Sequence, residues 1–161
     1  MLKYKTKDVI ETQKIGHYLG DLLKPGDVVS LEGDLGAGKT TFVQGICQGL
    51  GVAEPVTSPT FAIMHHYDGK YPVHHIDAYR IENDLELQEL GLEEYLDGEG
   101  VSLVEWAENI SSVMPLVYLQ VQITTSPTNP QARTIIFSPK GSKDNYDKLL
   151  KELAKACGSW A

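Results

Sequence analysis

The sequence predicts an α/β fold in which helices cover a mixed, mainly parallel sheet. A short apolar run at 28–31 is followed by a glycine-rich loop and then by apolar residues at helical spacing. A second apolar run at 101–104 ends in an acidic residue, Glu105. Between them, two β-rich segments are joined at Asp68-Gly69, a strong hairpin signal. An antiparallel hairpin beside parallel strands makes the predicted sheet mixed.

Two helices are predicted around the first of these strands. Thr6 can cap a helix over residues 7–23, because apolar residues recur there at helical spacing and Lys24-Pro25-Gly26 stops it. Residues 42–50 carry a second apolar stripe that a glycine ends. The strand at 28–31 therefore lies between two helices along the chain.

The second half of the chain continues this alternation. Asn83 and Asp84 can cap a helix that a glycine closes. Residues 117–123 alternate apolar and polar, so this strand is expected to be covered on one face only. A last strand at about 134–137 and a closing helix from residue 142 or 144 complete the prediction.

Length and composition favour a single globular domain over residues 1–161. This length suffices for one substantial core, and no repeat or linker divides it. No apolar run approaches a membrane span, and the N-terminus lacks a signal-peptide pattern. Cys47 and Cys157 have no metal-ligand spacing, which is typical of reduced thiols. We therefore expect a cytoplasmic protein.

Acidic charge is concentrated in one part of the chain. The formal net charge is −8, residues 81–131 contain no Lys or Arg, and residues 82–108 hold ten acids. Such a surface repels a phosphate backbone, so direct RNA or DNA binding there is disfavoured. Two interpretations of this segment remain, a solvated helical face and a docking patch for a basic protein surface.

The glycine-rich loop fits the phosphate-binding pattern G-x-x-x-x-G-K-[ST] at every fixed position. Its residues are Gly33, Asp34, Leu35, Gly36, Ala37, Gly38, Lys39 and Thr40. Glycines let backbone N–H groups wrap a phosphate chain, and the following helix directs its N-terminal N–H groups at the same anion. Lys39 would reach the β- and γ-phosphates, and the Thr40 hydroxyl would ligate Mg²⁺. The order strand, loop, helix indicates a P-loop NTPase-like three-layer fold.

Acids at strand ends are the candidates for metal binding and catalysis, because ligands of such sheets collect at the carboxyl ends of strands. Glu105 directly follows its strand, where the metal-supporting acid of a P-loop NTPase sits; the alternative is an ordinary exposed Glu. Asp77 lies near the end of a predicted strand and could orient water or support the metal through a bridging water.

Two further side chains are candidates for the same site. Thr60 lies in a proline-flanked loop about twenty residues beyond Lys39, as in a switch that closes on Mg²⁺ and the γ-phosphate. Arg80 could stabilise transition-state charge, or equally pair with the acidic helix that follows. Zinc is rejected for the pairs His65-His66 and His74-His75, because neighbours in an extended segment point to opposite faces.

Four motifs in register resemble the bacterial TsaE family, also called YjeE. They are the loop Gly33 to Thr41, Ser58-Pro59-Thr60-Phe61, His75-Ile76-Asp77-Ala78-Tyr79-Arg80 and Val104-Glu105-Trp106. The resemblance covers about residues 20 to 110, and the final fifty or so residues carry no usable signature.

This resemblance implies an ATPase of the tRNA threonylcarbamoyladenosine pathway, with ATP and Mg²⁺ as ligands. Such a protein works with TsaB and TsaD on ANN-decoding tRNAs, cycles the TsaB–TsaD complex, and leaves group transfer and tRNA contact to its partners. By the resemblance, the catalytic residues are Lys39, Thr60, Asp77 and Glu105, the metal residues are Thr40, Asp77 and Glu105, and Thr41 and Trp106 join the loop at the nucleotide.

Three other nucleotide-binding classes share the loop. A small-molecule kinase is disfavoured because the chain has only Arg80 and Arg133 to clamp an acceptor and no extra lid segment. A GTPase is disfavoured because no N-K-x-D motif is present, which favours adenine. A nucleotide-dependent binding module with negligible turnover stays open, because it needs the same loop and metal.

Overall fold

The structure, a computed structural model, describes residues 1–34, 36–59, 63–142 and 144–158. Within these residues, the strands are β1 (Leu2–Thr6), β2 (Val28–Glu32), β3 (Met64–Asp68), β4 (Pro72–Asp77), β5 (Val101–Glu105), β6 (Tyr118–Thr125) and β7 (Arg133–Lys140). The helices are α1 (Val9–Leu22), α2 (Lys39–Gly49), α3 (Asp84–Leu90), α4 (Leu92–Leu96) and α5 (Asp144–Cys157), with a 3₁₀ turn at Ala107–Ile110. In this part of the chain, no helix combines the length and the apolar character needed to cross a membrane.

All these strands belong to one sheet in the order β1-β7-β6-β2-β5-β4-β3. The central strands β6, β2, β5 and β4 are parallel to one another. On one side β7 pairs antiparallel with β6 and β1 pairs antiparallel with β7, and on the other side β3 pairs antiparallel with β4. The predicted hairpin of β3 and β4 is confirmed. So is the predicted fold class, a mixed α/β sheet with a parallel core.

Two apolar clusters, one on each face of the sheet, give the three-layer arrangement. The larger cluster packs α1, α2 and α5 against one face, and the smaller cluster packs α3, α4 and the 3₁₀ turn against the other. Leu103 and Val104, neighbours in β5, belong to opposite clusters. Because both faces of β5 are covered, all its residues are buried, including the polar Ser102 and Glu105.

Glycines bring α1 and α2 into close contact. A Cβ built on Gly45 of α2 would lie 2.2 Å from the carbonyl oxygen of Gln13 in α1. Gly49 and Gly20 are equally confined, with backbone oxygens of the other helix 2.2 Å from their ideal Cβ positions. Small residues at this crossing therefore fix the position of α2, the helix that begins at the glycine-rich loop.

The N-terminal prediction is wrong at Thr6. This residue ends β1, and the cap of α1 is Asp8, whose side chain accepts a hydrogen bond of 2.9 Å from the N–H of Glu11. The sequence does not predict β1, because this edge strand pairs only with β7, more than a hundred residues later in the chain. The α3 cap, Asn83, and the one-sided burial of β6 agree with prediction.

Candidate functional site

A cleft of about 520 Å³ opens at the carboxyl ends of β2, β4 and β5. The predicted site residues that line it are Gly36, Gly38, Lys39, Thr40, Thr41, Asp77, Glu105 and Trp106. Gly33, Asp34 and Ala37 lie in the same loop without lining the cleft. Leu35 and Thr60 lie outside the described residues, so the predicted switch threonine stays a prediction. The sheet topology thus gathers residues that are up to seventy positions apart in the sequence.

The loop between β2 and α2 depends on glycine conformations. Gly36 and Gly38 have φ angles of 81° and 100°, in the left-handed region that residues with a Cβ rarely adopt. Gly38 is followed at once by α2, whose first intrahelical bond runs from the N–H of Phe42 to the Gly38 carbonyl at 2.9 Å. The N–H groups of Lys39, Thr40 and Thr41 precede that bond and make no backbone hydrogen bond to the described residues, so they can bind an anion in the cleft.

Lys39 and Glu105 form a buried ion pair at the centre of the cleft. Lys39 Nζ lies 4.0 Å from Glu105 Oε1, and the two residues are 8% and 5% exposed. The ammonium also lies 4.9 Å from the centre of the Trp106 ring, within range of a cation–π contact. The burial of Glu105 excludes the alternative of an ordinary exposed Glu.

His75 is a component of the site that sequence reasoning missed. Its Nε2 lies 2.7 Å from Glu105 Oε2, so the carboxylate is held between Lys39 and a fully buried imidazole. In the sequence, His75 begins one of the four family motifs and belongs to one of two histidine pairs, but nothing there predicts a role for its side chain. His66 and His74 are in contact, with Nδ1 atoms 2.9 Å apart. His75, the next residue of β4, lies on the opposite face of the strand and contacts Glu105.

Asp77 lies beside Glu105 at the ends of adjacent parallel strands. The register pairs these two residues directly, and the Asp77 carboxylate accepts a hydrogen bond of 3.0 Å from the N–H of Tyr79. The Tyr79 and Trp106 rings are 4.9 Å apart. Trp106 has a φ of 60°, an uncommon value for a residue with a bulky side chain. This strained backbone turns the indole towards Lys39.

The predicted metal residue Thr40 contacts the loop that follows α2. Its hydroxyl oxygen is 2.6 Å from that of Ser58, which also lines the cleft. Gln44 reinforces the contact, because its side-chain amide donates to the carbonyl of Val56 at 3.0 Å. The loop that carries Ser58 is therefore attached to the first turns of α2, on the side of Thr40.

Arg80 lines the cleft and is exposed. Across the described ranges it makes no ion pair with the acids of α3 and α4, so the structure gives no contact for that interpretation. Arg133 was also missed from the sequence. From β7, 96 residues beyond Ala37, its Nε donates to the Ala37 carbonyl at 2.7 Å. No local motif marks this arginine, and only the strand order brings it to the loop.

With this geometry in hand, comparison with known proteins identifies the family. The sequence model described as threonylcarbamoyl adenosine biosynthesis protein TsaE matches residues 6–135, a range that contains the whole cleft. The chain belongs to the TsaE family. This confirms the resemblance and places the chain in a family of tRNA threonylcarbamoyladenosine biosynthesis.

TsaE relatives match over most of their lengths. The Bacillus subtilis (strain 168) TsaE is 44% identical over 155 residues, with 96% of this chain and 94% of that protein covered. A TsaE from Nostoc sp. PCC 7120 is 42% identical over 129 residues, 77% of this chain and 78% of its own. The crystal structure of Bacillus subtilis YdiB superimposes with a TM-score of 0.81 at 40% identity, covering 96% and 94% of the two chains. The TsaE fold thus extends over nearly the whole of this chain.

Proposed function

We propose that this TsaE-family chain binds ATP with Mg²⁺ in the cleft and hydrolyses it, and that hydrolysis cycles a TsaB–TsaD complex during tRNA modification. The observation that carries the proposal is the buried array of Lys39, Glu105 and His75 at the end of a glycine-rich loop. A phosphate chain needs the loop and the lysine, whereas hydrolysis needs acids beside them.

Phosphate binding is supported by the three kinds of donor that converge on the cleft. The loop glycines allow a close backbone approach, α2 offers its free N–H groups, and Lys39 supplies a full charge. Lys39 is held 4.0 Å from Glu105, so an arriving γ-phosphate would compete with that carboxylate for the ammonium. Nucleotide binding would then release the Glu105 carboxylate from Lys39, so that it could support the metal.

The oxygen donors of the cleft fit Mg²⁺, which prefers hydroxyl and carboxylate ligands together with phosphate oxygens. Thr40 would offer its hydroxyl, while Glu105 and Asp77 would support the metal directly or through water. When bound, the metal would neutralise the charge that develops on the β- and γ-phosphate oxygens. His75 and the N–H of Tyr79 hold these two carboxylates in fixed orientations.

Asp77 is the residue that we assign to the nucleophilic water. It is only partly buried and lines the cleft beside Glu105, so a water molecule could reach it. A carboxylate that accepts a backbone hydrogen bond at one oxygen keeps the other oxygen for water. Arg80, on the same rim, would approach the γ-phosphate as charge builds up on it.

The partner proposal is supported by the family's pathway and by the charge distribution. Helices α3 and α4 lie within the segment 82–108, which holds ten acids and no base. This surface is unsuited to a tRNA backbone and suited to a basic protein surface. We therefore expect tRNA contact to occur through TsaB and TsaD.

The decisive experiment measures ATP affinity and hydrolysis for the purified chain, alone and then with TsaB and TsaD. Lys39→Ala should greatly weaken ATP binding. Glu105→Gln and Asp77→Asn should retain much of the affinity but lose hydrolysis and multiple-turnover tRNA modification. Lys70→Ala is the matched control, because Lys70 is an exposed lysine in the β3–β4 turn, at the opposite end of β4 from the cleft.

Four results would contradict the proposal. Unchanged ATP affinity in Lys39→Ala would refute the site. Hydrolysis that survives in both acid variants would refute the assigned acids. Phosphate transfer to a small acceptor, with no response to TsaB and TsaD, would make the chain a small-molecule kinase. Tight binding without any hydrolysis, even with partners, would make it a nucleotide-dependent binding module.

A further inference from the structure

We propose that Arg133 is a nucleotide-binding residue that contacts the inner phosphates, the part that ATP and ADP share. This inference rests on the proposed function, since it concerns the same cleft. It assigns a role to a residue outside every motif in the sequence. The observations that carry it are the position, the charge and the free donors of the guanidinium.

The guanidinium of Arg133 lies directly against the phosphate-binding loop. Its Nε donates to the Ala37 carbonyl at 2.7 Å, and its Nη2 lies 3.5 Å from the carbonyl of Gly36. A Cβ built on Gly38 would be 3.2 Å from Arg133 Nε. Arg133 also lines the cleft itself. An anion cradled by this loop would therefore lie beside the guanidinium.

The strand order places Arg133 on the opposite side of the loop from the acids. The loop follows β2, which lies between β5 and β6. Asp77 and Glu105 come from β4 and β5, on one side, whereas Arg133 comes from β7, next to β6 on the other side. If the acids face the metal and the γ-phosphate, the rest of the nucleotide extends towards β6 and β7. Arg133 then meets the inner phosphates.

The charge of Arg133 has no counter-ion among the described residues. Its partners are backbone carbonyls, which include those of Pro130 and Ala132 as well as the loop carbonyls. Carbonyl dipoles satisfy donors but do not neutralise a full charge, so a net positive charge remains at the edge of the cleft. Lys39, by contrast, is already opposed by Glu105.

Arg133 keeps donors for a ligand. A guanidinium has five N–H groups, of which Nε uses one and Nη1 donates to two carbonyls. Among the described residues, the contact of Nη2 is a long one of 3.5 Å, so this nitrogen retains N–H groups that can bond an oxygen anion. Planar, paired donors of this kind suit phosphate oxygens better than an ammonium group does.

The test is the affinity of Arg133→Gln and Arg133→Lys for Mg·ATP, Mg·ADP and adenosine, measured by calorimetry. We expect Arg133→Gln to lose roughly 10- to 100-fold in affinity for both ATP and ADP, since a hydrogen bond to a charged group is removed. Arg133→Lys should retain part of that affinity because it keeps the charge. Any weak adenosine binding should not change. Lys140→Gln, at the other end of β7, removes the same charge and should have no effect.

Thermal unfolding distinguishes a phosphate contact from a simple brace of the loop. A contact predicts that Mg·ADP stabilises wild type much more than Arg133→Gln, beyond any difference between the nucleotide-free proteins. Equal ADP affinity in wild type and Arg133→Gln would refute the inference while leaving the proposed function intact. A loss for ATP alone would refute it as well, by moving Arg133 to the γ-phosphate. Wild type that bound neither nucleotide would refute the proposed function and the inference together.

Discussion

His75 Nε2 and Glu105 Oε2 are 2.7 Å apart, and both side chains are buried. They come from the adjacent parallel strands β4 and β5, so the contact fixes the position of the Glu105 carboxylate in the cleft. His75 Nδ1 makes no hydrogen bond to the described part of the protein. The orientation of this imidazole is therefore set by Glu105 and by packing.

The first prediction concerns His75 as a positioning residue. His75→Leu should lower kcat for ATP hydrolysis by roughly 10- to 100-fold, because Glu105 loses a hydrogen bond to a charged group, while ATP affinity changes little. His75→Gln should restore part of kcat, since its amide nitrogen can reach the same oxygen. Steady-state kinetics with separate ATP-binding measurements checks this. A kcat equal to wild type in His75→Leu would contradict the assigned role.

The second prediction uses Trp106 as a reporter of nucleotide binding. Lys39 Nζ lies 4.9 Å from its ring, and that cation should move towards the phosphates when ATP binds. We expect tryptophan emission to change saturably with ATP, with the same Kd as calorimetry gives. The measurement is made in a Trp160→Phe background, because Trp160 is the second of the two tryptophans. Tryptophan emission of Trp160→Phe that does not change while calorimetry shows ATP binding would contradict the prediction.

The third prediction concerns the contact between α1 and α2. Gly45→Ala should lower the free energy of unfolding by about 1–3 kcal/mol, because its Cβ would lie 2.2 Å from the Gln13 carbonyl oxygen and the helices would have to separate. Gln48→Ala, at an exposed position of the same helix, should change stability by less than about 0.5 kcal/mol. Urea unfolding of both variants provides the comparison. Equal free energies of unfolding for the two variants would contradict the prediction, because they would show that α1 and α2 accommodate the added methyl group without loss of stability.

The fourth prediction concerns the two cysteines. Burial raises the pKa of Cys47 to about 12, with a further contribution from Glu54, and burial raises the pKa of Cys157 to about 11. At pH near 8, about one thiol in a thousand or fewer would be ionised at either position. Ellman's reagent should therefore react slowly with the native protein and label both thiols after denaturation. Rapid labelling of the native protein would contradict the buried environments.

The fifth prediction concerns pH and the His66–His74 contact. Burial, followed by the nearby His66, lowers the pKa of His74 below its usual 6.5, and the Tyr95 ring packs on both imidazoles. The unfolded chain then binds the His74 proton more readily, so stability should fall as pH decreases below about 6.5. The Tm of His74→Gln should fall less than that of wild type between about pH 7.5 and 5.5. Parallel Tm curves would exclude a contribution from His74.

The sequence by itself determined those parts of the protein whose signals are local. The residues of a phosphate-binding pattern must be contiguous, because adjacent N–H groups wrap one anion, so the match from Gly33 to Thr40 can be recognised without a structure. The strand before Glu105 and the cap at Asn83 are local in the same sense. Four such motifs in order were enough to indicate the family.

Only the tertiary structure decided which distant side chains meet. His75 is 30 residues from Glu105, and Arg133 is 96 residues from Ala37; neither contact leaves a periodic trace in the sequence. At Thr6 a local signal was misleading: the residue could cap a helix, but in the structure it belongs to β1, which pairs with β7. Strand order explains these contacts. The strand β2 lies between β5, which carries Glu105, and β6, and β7, which carries Arg133, pairs with β6 on one side and with β1 on the other. Periodicity fixes which face of a strand is buried, but the neighbour on each side is set by packing of the whole sheet.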